Sequence, residues 1–458
     1  MAKSAGPFRD KLVHLDLKGA PPKVPYLLDF LKLAKDGGAT GLLIEWEDAF
    51  PWSDTDLRAK TAYTEAEVKT ILGKAAELKL EVVPLIQSFG HLEFVLKHRK
   101  NRNLREKAEF LMDICPLHDD AQKTILGLFE DVLRLHPGIK RVHLGGDEVW
   151  SLASCEKCKP FADKNGKSAL YLHHVEPIIK AVKEHGITPM LWDDMMRHWS
   201  VPELKKMAGT ELVVWRYGLD IEEHLPEGVW DRFAESGLTL VAASAFKGAA
   251  GVDEVWCDVV PRAQNHIAWL ARAKKTKMSG IILTGWSRYN HTCCQCETLP
   301  AGTPSLLTCL EILKNGGTIE SAWAKVAPMM GLPTDSLPGS GKLPTVCLPD
   351  KGFPGASIWS MSGKLAAIRS NRWHANDKVQ TYDPKYNGGR RNMFEYQRAA
   401  EHAQKSIELC DQCEKLFPKA AEGILYQQDI DEIVESKIRR ERETVLKLKD
   451  LAEGFIAG

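Results

Sequence analysis

No stretch of about 18 consecutive apolar residues occurs, so no membrane-spanning helix is expected. Net charge is also missing. Lys and Arg together number 61, and so do Asp and Glu. A balanced chain lacks the electrostatic footprint of a general nucleic-acid or anionic-membrane binder, so neither partner is expected. The opening residues, Met-Ala-Lys-Ser-Ala-Gly-Pro-Phe, have no apolar core of a signal peptide. The expected location is therefore the cytoplasm, with the nucleus also open. A disulfide framework is lacking too. The eleven cysteines are odd in number and sit mostly in apolar or helical stretches, which suits a reducing compartment. Metal spacing is incomplete: Cys155-Glu-Lys-Cys158 has no second Cys-x-x-Cys at a suitable distance, and Cys293-Cys-Gln-Cys296 is wrongly spaced. His173 and His174 are adjacent on a predicted helix and point two ways. No metal site is expected. Gly145-Gly146 is not followed by Gly-Lys-Ser/Thr, which excludes a phosphate loop.

What is present centres on Arg141-Val-His-Leu-Gly-Gly-Asp-Glu-Val-Trp150. A short apolar run breaks on two glycines and ends in two adjacent carboxylates, Asp147 and Glu148. Glycine allows a sharp turn or a close approach. An isolated Asp-Glu pair is usually a solvated loop. Held at a strand end, two neighbouring acids can divide labour, because like charges push their pKa values apart. Adjacent residues point in different directions, so they cannot flank a sugar as nucleophile and acid. That suits a substrate-assisted glycoside hydrolysis better than the two-carboxylate scheme.

The rest of the chain repeats a strand-then-helix beat. Strands are predicted at 11–17, 42–46, 81–86, 142–144, 188–192, 211–215, 239–243 and 280–284. Helices are predicted at 26–35, 64–78, 119–135, 168–185, 202–208, 229–235, 262–273 and 305–314. Thr64 with Glu67 three residues on reads as a capping box. Eight such units over about 310 residues fit an α/β fold, a (β/α)8 TIM barrel. Active sites of such barrels lie at the C-terminal ends of the strands. Asp16, Glu47, His91, Asp147, Glu148, Trp192, Trp215, Tyr217, Trp286 and Arg288 all fall at those ends. A single Trp among thirteen is usually packing; polar and aromatic residues at every strand end are harder to assign to chance.

Past residue 316 the pattern changes. Residues 331–356 are rich in Pro and Gly and read as a linker or long loop. Residues 390–417 have helical spacing, with Pro418 as the expected stop. Residues 430–455 form a second long amphipathic helix with a charged outer face. The expected division is a catalytic barrel over 8–316 and a mainly α-helical C-terminal region over 317–458. The two long helices could dock on the barrel, or form a homodimer contact.

His143-Leu-Gly-Gly-Asp-Glu148 resembles the signature of family 20 glycoside hydrolases, the β-N-acetylhexosaminidases. His14-Leu-Asp-Leu-Lys-Gly-Ala-Pro-Pro22 and Gly41-Leu-Leu-Ile-Glu-Trp-Glu-Asp48 resemble the hexosaminidase D branch more narrowly. So do Ser88-Phe-Gly-His91, Leu191-Trp-Asp-Asp194, Ala243-Ser-Ala-Phe-Lys-Gly248 and Leu283-Thr-Gly-Trp286. The resemblance covers residues 8 to 315.

It implies an exo-acting, retaining enzyme that removes terminal GlcNAc or GalNAc from a glycan or glycoconjugate. The substrate's 2-acetamido oxygen would be the nucleophile. Glu148 would be the acid/base, and Asp147 would orient the acetamido group. Trp192, Trp215 and Trp286 match family positions that enclose the acetamido group and stack on the ring, and Tyr217 lies near one that touches the acetamido oxygen. His91 matches a histidine close to the acids. Glu47, Asp16 and Arg288 are candidates for the sugar hydroxyls. Some relatives hold the outer hydroxyls with an arginine after the first strand; only Asp16 and Lys18 stand there, which is compatible with both gluco and galacto sugars. The mechanism requires no metal or organic cofactor. Two alternatives stay open: a catalytically silent sugar-binding barrel, and a two-carboxylate glycosidase with Glu45 or Glu47 as nucleophile.

Overall fold

The computed structural model describes residues 7–338 and 349–457. Eight parallel strands close into a barrel. They are β1 (Asp10–Asp16), β2 (Gly41–Glu45), β3 (Glu81–Leu85), β6 (Arg141–His143), β7 (Thr188–Trp192), β8 (Glu211–Trp215), β9 (Thr239–Lys247) and β10 (Gly280–Gly285). The expected TIM barrel with a helical C-terminal region is therefore the fold. A short antiparallel hairpin, β4 (Arg105–Lys107) with β5 (Phe110–Ile114), is inserted after β3. Its strands were not foreseen.

The strands are nearly continuous apolar runs because both faces are covered. All five residues of β2 are buried. Leu12, Leu43, Val83, Met190, Val213, Val241 and Ile282 fill the barrel interior, and Trp192 is part of the same cluster. The outer faces pack against the helices. Thr64 caps the 65–77 helix as expected: Glu67 N–H donates to Thr64 Oγ1 and Thr64 N–H to Glu67 Oε2. The register Asp10↔Gly280 through Val13↔Leu283 joins first strand to last.

Among the described residues the C-terminal region contains two helices that were not expected, Ile319–Val326 and Ala356–Thr381. Ala356–Thr381 is a 26-residue helix that packs against the helices Met393–Ala421 and Arg440–Ala457. Part of the 331–356 stretch, residues 339–348, lies outside the described residues. Pro418 does not end its helix, which runs on to Ala421. A proline in the last turn forfeits one backbone bond, and the buried Phe417 and Ala421 keep that turn seated. The final long helix is interrupted. A π-helical turn at Val434–Arg439 separates Gln427–Ile433 from Arg440–Ala457. Within that turn Lys437 is directed inward, donating to Asp253 O at 2.6 Å. The helical region shares a core with the barrel: Trp359, Phe417 and Ile433 cluster with Val255, Trp256 and Leu307. Among the described residues, no helix is long and apolar enough to cross a membrane.

Candidate active site

The C-terminal rim of the barrel holds a cavity of about 220 Å³. Its lining includes Lys18, Gln87, His91, Asp147, Glu148, Trp192, Trp215, Tyr217, Trp286 and Arg288. The loop after β6 supplies the acids. Gly145 and Gly146 there both have positive φ. A Cβ on Gly146 would strike the Tyr171 hydroxyl, which donates to Gly146 O. Only glycine meets both demands, so the two glycines aim the acids.

Asp147 and Glu148 sit at different depths. The Asp147 side chain is 10% exposed and that of Glu148 is 33% exposed. His91 bridges them: its Nε2 lies 3.5 Å from Asp147 Oδ2 and 3.3 Å from Glu148 Oε2. Burial would lower His91, but Asp147 and Glu148 outweigh it and lift the imidazole to about 10. Burial lifts Asp147 to about 7, with His91 opposing and Asp194 and Glu148 adding. Asp147 Oδ1 is buried and has no hydrogen-bond partner. A buried acceptor left open in a cavity is poised for a donor from a ligand.

Glu148 has φ +49, a left-handed conformation that costs a non-glycine residue of order 1–3 kcal/mol. Asp194 secures it. Its Oδ2 accepts from Glu148 N–H at 2.9 Å and its Oδ1 from Trp215 Nε1 at 3.1 Å. Asp193, beside it, takes both arms of Arg197 and the Trp215 N–H. In the sequence Asp193 and Asp194 appear only as part of Leu191-Trp-Asp-Asp194, with no local sign of either task.

The aromatic walls converge from the ends of three strands, β7, β8 and β10. Trp215 and Tyr217 stack with centroids 5.4 Å apart, and the Arg197 guanidinium lies over Trp215. Trp192 and Trp286 meet at 6.0 Å. Trp192 is buried, and its Nε1–H has no partner.

Three of the candidates for the sugar hydroxyls are held by partners within the protein. Asp16 does not line the cavity: its oxygens accept from Lys18 N–H and Ser287 N–H. Glu47 is also buried away from the cavity, paired with His291 and with Lys18 Nζ at 3.4 Å. Arg288 does line the cavity, but its donors are spent. They go to the carbonyls of Lys18, Gly19 and Cys293 and to both Glu432 oxygens. A guanidinium carries five N–H groups, so none is left for a sugar.

The cation that remains is Lys18. Its ammonium is held by Asp16 and Glu45 at 3.5 Å each and by Glu47, and it sits 5.7 Å from the Trp286 ring centre. Glu45 is further tied to His14 and Gln87. At Glu45, burial is outweighed by Lys18 and His14, which hold its pKa well down; at Glu47, burial drives it well up. The sequence shows only that Asp16 and Lys18, and no arginine, stand after the first strand, and it gives Lys18 no role.

Fold and site together define a (β/α)8-barrel enzyme with a carboxylate pair under aromatic walls. Residues 43–244 match the glycosyl hydrolase family 20 catalytic domain. Hexosaminidase D of Homo sapiens is 41% identical over 339 residues, spanning 71% of this chain and 70% of the relative. Hexosaminidase D of Bos taurus is 40% identical over 338 residues, spanning 70% of this chain and 97% of the relative. The chain belongs to glycosyl hydrolase family 20. Two solved structures share its fold. The Streptomyces plicatus N-acetyl-beta-hexosaminidase in complex with Thio-NAglucal has a TM-score of 0.51 at 17% identity, over 70% of this chain and 67% of that one. Flavobacterium johnsoniae chitobiase has a TM-score of 0.50 at 15% identity, over 98% and 73%.

Proposed function

We propose that the protein is an exo-acting β-N-acetylhexosaminidase that removes terminal GlcNAc or GalNAc by a retaining, substrate-assisted reaction. One observation carries the mechanism. Among the described residues, Asp147 and Glu148 are the only carboxylates lining the cavity. Glu45 and Glu47, the candidate nucleophiles of a two-carboxylate scheme, are tied up with Lys18, His14, Gln87 and His291.

The acetamido oxygen attacks the anomeric carbon as the glycosidic C–O bond breaks, and the Glu148 proton passes to the leaving oxygen. Water then adds to the anomeric carbon, Glu148 takes its proton, and the ring closed by the acetamido oxygen reopens. Asp147 accepts the acetamido N–H through its open Oδ1 and stabilises the developing positive charge. His91, a cation between the acids, favours the ionised form of Asp147. Trp192, Trp215, Tyr217 and Trp286 enclose the N-acetyl group and the ring. Lys18, ringed by Asp16, Glu45 and Glu47, contributes positive charge at the cavity wall rather than a spare donor, and Asp16 and Glu47 act only through it. The cavity is smaller than the ~300–1,000 Å³ of drug-sized sites, which suits one terminal sugar and hence exo action.

The test is release of chromophore from aryl β-GlcNAc and β-GalNAc, beside the plain β-glucoside and β-galactoside, with wild type, Glu148→Gln and Asp147→Asn. Only the N-acetyl sugars should be cleaved, and each variant should lose about 10²–10⁴ in kcat. Turnover of plain glycosides, or full activity in Asp147→Asn, would move the reading to a two-carboxylate enzyme.

A further inference from the structure

Beside the acid loop lies a second cluster that the glycosidase chemistry does not use. Cys115 follows β5, Cys155 lies in the turn beyond Glu148, and Cys158 opens the helix Cys158–Asn165. Glu106 sits on β4. One ligand atom from each of these four residues falls within 4.8 Å of all the others. Cys115 Sγ is 3.7 Å from Cys155 Sγ and 3.6 Å from Cys158 Sγ. Three sulfurs bound tetrahedrally at ~2.3 Å from zinc stand ~3.8 Å apart, so the sulfurs already have the spacing of a metal shell.

Glu106 supplies the independent sign. It is 2% exposed. Its Oε1 accepts from the Ser154 and Cys155 N–H groups at 2.8 and 3.0 Å, which fixes the carboxylate. Its Oε2 is buried with no hydrogen-bond partner. A buried carboxylate oxygen left open among three thiols is a ready ligand for a cation. The Cys158 N–H points at Cys155 Sγ, 3.3 Å away, a contact that stabilises a thiolate. Cys155 is partly exposed, which leaves an entry path.

We propose that Cys115, Cys155, Cys158 and Glu106 bind one structural zinc ion. Binding releases the thiol protons to solvent, leaving three thiolates and one carboxylate oxygen around Zn²⁺. With four protein ligands the site is closed, so its role is to fasten. It joins the β4–β5 hairpin, which follows His91, to the loop that carries Asp147 and Glu148. Asp113 already stitches the same two segments by accepting from Ser151 N–H and Oγ–H. A search for paired Cys-x-x-Cys motifs misses this site, because the fold delivers the third and fourth ligands singly.

The experiment is metal analysis of the full chain, purified without chelator and reconstituted with zinc. Wild type should hold one zinc per chain, and Cys309→Ser, a buried thiol outside the cluster, should keep it. Cys158→Ser should retain less than a tenth. Cobalt in place of zinc should give the thiolate charge-transfer and d–d bands of a tetrahedral ion in wild type and Cys309→Ser, and not in Cys158→Ser. Should Cys158→Ser fail to fold, Glu106→Gln decides. Its amide oxygen can still accept from Ser154 and Cys155, yet zinc affinity should fall about tenfold or more in chelator competition. A wild type that stays metal-free and gives no cobalt band overturns the proposal. So does a Cys158→Ser or Glu106→Gln protein that binds zinc as wild type does.

Discussion

Asp194→Asn is the sharpest probe of how the site is held. Asp194 never meets the cavity directly, yet it accepts from the Glu148 N–H and from the Trp215 indole. Asparagine keeps the shape but has one acceptor oxygen; its other terminus is a donor. Whichever way the amide turns, one N–H loses its partner and faces another N–H. A hydrogen bond to a charged group is worth about 1.5–3 kcal/mol. Losing one of two therefore removes about 1.5–3 kcal/mol, or about 10- to 150-fold in kcat/KM if the loss falls on the transition state. The distribution tells which bond broke. A fall in kcat means Glu148 has drifted from the leaving oxygen; a rise in KM means Trp215 has left the ring. Steady-state kinetics on an aryl N-acetylglucosaminide, with thermal unfolding as a check on folding, reads both. An Asp194→Asn enzyme within threefold of wild type would refute the reasoning.

Two further expectations follow from the same geometry. Asp147 must be ionised to accept the acetamido N–H, and its pKa is lifted to about 7. kcat/KM should then fall as pH drops through about 7, by up to tenfold per unit. Since the His91 charge lowers that pKa, His91→Gln should move the acid limb to higher pH; a limb that stays or moves down contradicts the assignment. Glu432→Ala should strand the Arg288 guanidinium, which is 8% exposed. Breaking such a pair at a half-buried partner should cost about 1–3 kcal/mol of stability, and denaturant unfolding that matches wild type would remove the clamp from the account.

The barrel was legible because parallel strands covered on both faces spell themselves out as short apolar runs, and because Thr64 marks the start of a helix between them. The acid loop was legible from its glycines. His91, Trp192, Trp215, Tyr217 and Trp286 do meet at one cavity. Strand-end position gives a neighbourhood, however, and not a direction or a spare hydrogen bond. Asp16 and Glu47 turn toward Lys18 instead. Arg288 is saturated by a glutamate 144 residues further on, a partner that no local pattern reveals. The 356–381 helix escaped because it packs on two helices and on the Pro300–Gly302 turn, so its apolar residues surround the axis and leave no stripe to read. The hairpin strands, three and five residues long, are too short to alternate convincingly.

The seam between β1 and β10 sets a timetable for biogenesis. Bonds such as Ser287 N–H to Asp16 cross 271 residues of chain. At about 5–20 residues per second of synthesis, the first strand waits roughly 15–50 s for its neighbour. Until then it is an unpaired edge carrying His14, Asp16 and Lys18. The cavity does not exist in that interval, because Lys18 stands on one side of the seam and Trp286 on the other. A small molecule that fills the cavity therefore recognises only the closed barrel. Held at a hundredfold its Kd, it would favour closure by about 2.7 kcal/mol, making a competitive inhibitor of the mature enzyme an aid to the nascent one.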